Sequence, residues 1–108
     1  MKLLVAIIQD EDYGFLIDDL TESGFRVTKL SSTGGFLKNG NSTLLIGVND
    51  DKVEECLSII EKNCKKRTVP TNHINIPFTE GSDMPYPIEV KVGGAVVFIV
   101  DVEREINF

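Results

Sequence analysis

The chain predicts an α+β domain, a ferredoxin-like βαββαβ antiparallel sheet with an extra hairpin arm. Three observations predict it. Apolar runs of strand length alternate with two segments of helical period, in the order β-α-β-β-α-β. A long connection without period, residues 68–86, interrupts that order before the last strands and holds Pro70, Pro77 and Pro85. The 108 residues, 42% of them hydrophobic, suffice for one core, so 1–108 reads as a single domain.

The elements follow in order. Leu3–Ile8 is a continuous apolar run, read as a buried strand. Asp10 or Asp12 can cap the helix after it. Tyr13, Leu16, Ile17 and Leu20 then recur at i, i+3, i+4 and i+7, which marks one apolar face. Gly24 is placed to end this helix as a left-handed cap. Phe25–Leu30 is a second strand and Ser42–Val48 a third. Asn49-Asp50-Asp51 opens a second helix, with Asp51 and Glu54 spaced as a capping box. Its apolar stripe is Val53, Cys56, Leu57, Ile60 and Cys64. Lys65-Lys66-Arg67 ends it, as the negative end of the helix dipole favours. Pro87–Val92 alternates in period two as a half-exposed strand. Gly93-Gly94 reads as a tight hairpin turn into a last apolar strand, Ala95–Val102.

Composition narrows the function. Net charge is −6, and like charges never form a long block. A nucleic-acid polymer is a poor partner, because duplex binding needs many Lys/Arg–phosphate contacts. The apolar start is cut short by Gln9-Asp10-Glu11-Asp12, unlike a secretory leader. No run approaches the roughly 18 apolar residues of a membrane helix. The expected location is the cytosol. Cys56 and Cys64 lie about 12 Å apart along one helix axis, too far for a disulfide. They read as reduced, buried thiols. His73 is the single histidine, so a metal centre is not expected.

Two helices cover only one face of a four-stranded sheet. The other face should then alternate apolar with polar residues. Leu3–Ile8, Leu44-Leu45-Ile46 and Val96–Val100 are apolar on both faces instead. A second subunit is the expected cover, giving a closed homo-oligomer. The alternative cover is the 68–92 segment folding back.

The most unusual stretch is Phe25–Gly47. Two residues would close a hairpin here, yet residues 31–41 intervene, with Thr33-Gly34-Gly35-Phe36-Leu37 among them. Arg26 and Thr28 share one side of their strand and can engage a phosphate, or form an ordinary polar edge. Gly34-Gly35 lets a ligand approach the main chain. Phe36-Leu37 offers a stacking face for a planar base, or tucks into the core. Asn41 reads a ring edge or shapes the turn. Gly47 within an apolar strand signals a bulge or a close ligand. These residues outline a pocket for a planar, phosphate-bearing small molecule. No catalytic set accompanies them.

The motifs resemble the PII-like cyclic-di-AMP receptor family, small signal-transduction proteins of Gram-positive bacteria. The similar runs are Ala6–Asp10, Gly24–Leu30, Thr33–Asn41, Ile46–Asp50 and Tyr86–Ala95. The pairing of Arg26-Val27-Thr28-Lys29-Leu30 with Thr33-Gly34-Gly35-Phe36-Leu37 is the most specific of them. The resemblance implies a homotrimer binding cyclic-di-AMP in clefts between subunits, with no enzymatic activity and no cofactor. It implies ligand contacts from Arg26, Val27, Thr28, Gly35, Phe36, Leu37, Asn41 and Gly47. It also implies loops that rearrange for a downstream protein, with 68–92 as an enlarged B-loop. Residues 68–84 and the tail 104–108 depart from the family pattern. Two other readings compete. One is a PII-like sensor of ATP. The other is an acylphosphatase-like enzyme, which would need an arginine in an anion loop where this chain has Gln9-Asp10-Glu11-Asp12.

Overall fold

A computed structural model describes residues 1–30, 40–70 and 89–108. Its elements are β1 (Lys2–Gln9), α1 (Asp10–Glu22), β2 (Val27–Leu30), β3 (Asn41–Val48), a 3₁₀ turn (Asp50–Lys52) and α2 (Val53–Cys64). They continue with β4 (Arg67–Pro70), β5 (Glu89–Val92) and β6 (Ala95–Asp101). Strands β2-β3-β1-β6 form one antiparallel sheet in that order, which is the ferredoxin-like arrangement. Among the described residues, strands β4 and β5 pair only with each other, as a two-stranded arm.

Both helices lie on one face, as their periodicity predicts. Leu16 and Leu20 of α1 and Val53, Cys56, Ile60 and Cys64 of α2 are buried. They form one core with Leu4, Ala6 and Ile8 of β1 and Leu44, Ile46 and Val48 of β3. Gly24 ends α1 with φ +86°, a conformation open to glycine. There the Phe25 N–H donates to the Leu20 carbonyl at 2.9 Å, which satisfies an end-of-helix acceptor.

The opposite sheet face is apolar and open among the described residues. Alternation places Leu3, Val5 and Ile7 of β1 there, beside Val96, Phe98 and Val100 of β6. Phe98 is 55% exposed and Val96 54%.

Four local expectations are corrected. Neither Asp10 nor Asp12 caps α1: the helix starts at Asp10 itself, after Gln9, with no side-chain cap. The Asp51–Glu54 capping box does not form, because a 3₁₀ turn over Asp50–Lys52 precedes α2. Arg67–Pro70 are a strand rather than a helix end and the start of a periodless connection, since β4 finds its partner in β5, some twenty residues away in sequence; the rest of the expected connection, 71–86, lies outside the described residues. Gly93-Gly94 is not a hairpin turn. β5 pairs with β4 and β6 with β1, so the two glycines carry the chain from the arm into the main sheet.

Candidate functional site

The sheet register sorts the expected site residues by face. Thr28 stands opposite Leu45, and Leu30 opposite Thr43. Alternation therefore puts Thr28, Asn41, Thr43, Leu45 and Gly47 on the face away from the helices, with Arg26 continuing the row beyond β2; Thr43 is buried there at 6% exposure, while Thr28 and Gly47 are exposed. Asn41 and Gly47 are six residues apart, or about 20 Å along the strand. The row is long enough for an elongated ligand at the β2 edge.

Val27 is the exception. It pairs with Ile46 and packs against the helix-covered core, so its side chain faces away from Thr28. Any contribution from Val27 to the row comes from its backbone. Lys29 shares that inward side, with its ammonium 4.5 Å from the centre of the Tyr13 ring, a cation–π contact. Only Arg26 and Thr28 of strand two therefore offer polar side chains outward. Gly35, Phe36 and Leu37 lie outside the described residues, as does His73.

Gly47 is the sharpest feature of the row. The β1–β3 register runs unbroken through Leu3↔Gly47, which excludes the bulge. A Cβ at Gly47 would meet nothing within 4 Å among the described residues, so their packing does not require glycine there. Its missing side chain leaves room beside the exposed main chain. Arg26 and Gly47 line a shared cavity of about 340 Å³, with Phe25, Asn49, Lys52 and Glu105.

Sequence reasoning missed the charged surroundings of this cavity. The Met1 amino group pairs with Asp50 at 2.9 Å, which holds the Asp50 carboxyl below its ordinary range. Lys2 pairs with Asp101 and is raised by that hydrogen bond. Lys52 and Glu105 reach the cavity from the 3₁₀ turn and the tail. No local pattern signals either of them, because the chain ends meet there only through sheet pairing.

A second, more apolar groove of about 460 Å³ lies between α2 and β6, with Leu57, Ile60, Lys66 and Val97 among its walls. Cys56 and Cys64 lie fully buried near it as free thiols. Burial pushes both up to about 11. They are protonated at neutral pH and poor nucleophiles.

Comparison with known proteins gives three findings. A family model described as cyclic-di-AMP receptor matches residues 1–108. A nitrogen fixation nifHD region GlnB-like protein 1 from Methanothermococcus thermolithotrophicus is 32% identical over 94 residues, covering 74% of this chain and 90% of that one. The crystal structure of a functionally unknown protein from Pediococcus pentosaceus superposes with TM-score 0.77 at 40% identity, covering 99% of this chain and 96% of the other.

Proposed function

This chain belongs to the cyclic-di-AMP receptor family, and from that premise we propose that it binds cyclic-di-AMP at the junctions of a homotrimer and relays occupancy to a downstream protein. The observation that carries the reading is the open space at Gly47, in an unbroken strand and in one cavity with Arg26. A ligand can reach the main chain there while a guanidinium stands beside it. Arg26 supplies charge for a phosphate and Thr28 a hydroxyl on the same side. Asn41 offers amide groups to a base edge at the far end of the row. Gly35, Phe36 and Leu37 complete the pocket, with Phe36 stacking on a base.

The apolar open face supports the trimer. Phe98, Val96 and Val100 would be covered by neighbouring copies, and each pocket would then border two chains. The 108 residues act as one PII-like domain in the cytosol, without a catalytic step. Binding favours one loop arrangement over another, which is the signal a partner protein reads.

Calorimetry with cyclic-di-AMP tests the reading, and Arg26→Ala should weaken binding by about 1.5–3 kcal/mol through loss of a charge-assisted hydrogen bond. No heat and no thermal shift at high ligand excess would defeat it. Competition by ATP at similar concentration would favour an ATP sensor instead.

A further inference from the structure

The sequence Gln9-Asp10-Glu11-Asp12, set aside above as an anion loop, joins two regions far apart in the chain. β1 ends at Gln9 and α1 begins at Asp10 with no residue between them. On one side, the Asp10 N–H donates to the Gly40 carbonyl at 2.7 Å, and the Ser42 hydroxyl donates to the Asp10 carboxylate. Gln9 also stands opposite Asn41 in the ladder. The end of the 31–41 segment is therefore fastened to this junction.

On the other side, the same junction holds the base of the arm. The Gly93 N–H donates to the Gln9 side-chain oxygen at 2.8 Å. Arg67 donates to Asp12 at 2.7 Å, and the Asp12 side chain is only 3% exposed. A buried carboxylate held by one guanidinium is a demanding contact, because losing the partner strands a charge. Gly93 has φ +85°, and a Cβ there would sit 2.6 Å from the Lys65 carbonyl and 2.7 Å from the Arg67 guanidinium. The arm base therefore admits no side chain at that position and closes directly on Arg67.

We propose that Gln9–Asp12 is a coupling element between Gly40–Ser42, at the entry to β3, and the base of the β4–β5 arm. A shift at Gly40 is felt at Asp10 and passed along one short, hydrogen-bonded stretch of backbone to Gln9 and Asp12. It then alters the hold on Gly93 and Arg67. The two bases share one strand–helix junction with no residue between the elements, so a contiguous hydrogen-bonded network runs from one to the other. The ligand-driven form of this coupling rests on the proposed cyclic-di-AMP site; the mechanical coupling does not. Coupling is reciprocal, so loosening the arm base should change ligand affinity by the factor by which ligand changes the arm.

Amide hydrogen exchange on the full chain without ligand tests the mechanical part. Ser42→Ala should speed exchange at Gly93 as well as at Asp10, and Gln9→Ala should speed it at Asp10 as well as at Gly93, each by about threefold or more. Exchange at Ile60 in α2 should stay unchanged, which separates coupling from general loosening. The double variant should fall short of the product of the single effects. Changes confined to the substituted side, or equal changes at Ile60, would overturn the proposal. In the wild type, cyclic-di-AMP should alter protection at Gly93, and Gln9→Ala should abolish that change. Retention of the full change in Gln9→Ala would also overturn it. Failure of the wild type to bind cyclic-di-AMP would instead remove the ligand site, with the coupling judged by the ligand-free exchange.

Discussion

The two faces of the main sheet are built from similar residues and meet opposite environments. On the helix side, Leu4, Ala6, Leu44 and Ile46 are fully buried. On the other side, Val96, Phe98 and Val100 are about half exposed, although they are equally apolar. Over β1 and β3 the helix side is a closed core in which these side chains already have neighbours, while Ile99 on the edge strand β6, which pairs with Leu4, stays 48% exposed. The open side carries apolar area without a cover inside the described chain, and contiguous area of that kind marks an interaction surface. Equal hydrophobicity thus serves folding on one face and, in our reading, association on the other.

The largest expected effect should break the closed face. Leu44→Ala removes a side chain with no exposure and should cost about 2–5 kcal/mol, read as a lower denaturation midpoint. A loss below about 1 kcal/mol would mean that this face is less tightly packed than its burial indicates.

The next effect probes the same core by pH. Cys56 and Cys64 titrate at about 11 in the native chain, against an ordinary 9.0. Below pH 9 both folded and unfolded thiols keep their protons, so the contribution is complete. Between pH 9 and 11 the unfolded chain releases protons that the native chain retains, so stability falls as pH rises. The loss should be on the order of 2 kcal/mol per thiol across that window. Comparing urea midpoints of the wild type with a Cys56→Ala, Cys64→Ala variant isolates it. Parallel pH profiles would show that burial does not raise these thiols.

The smallest effect on chain stability, and the sharpest test of the comparison, lies on the open face. Phe98→Ser should leave the unfolding free energy of the isolated chain within about 0.5 kcal/mol, as expected for a surface position. It should nevertheless shift sedimentation toward a single chain. An unchanged mass, or a wild type that sediments as a monomer at low concentration, would leave the open face without an oligomeric role.

Much of this was legible in the sequence for local reasons. The apolar stripe of α2, the glycine ending α1 and the outward pairing of Arg26 with Thr28 all follow from periods of 3.6 and 2.0 within a few residues. The inward side of Val27 follows from the same alternation, so its place among the proposed ligand contacts rests on the family resemblance alone. The role of Gln9 and Asp12 was hidden. Acidic residues at a helix start read as caps, and nothing nearby in sequence announces Arg67, which lies 55 residues away.

By itself the sequence determined the order of elements, the helix faces and the apolarity of both strand surfaces, since each arises from contacts within one turn or one pleat. Only the tertiary structure decided which strands neighbour each other, that Gly93-Gly94 links the arm to the sheet, that Gly47 is left uncovered by the described residues, and that one junction holds both Gly40 and the base of the arm. Those depend on pairings between distant residues, whose loop-closure cost and register are settled by the assembled sheet rather than by any local period.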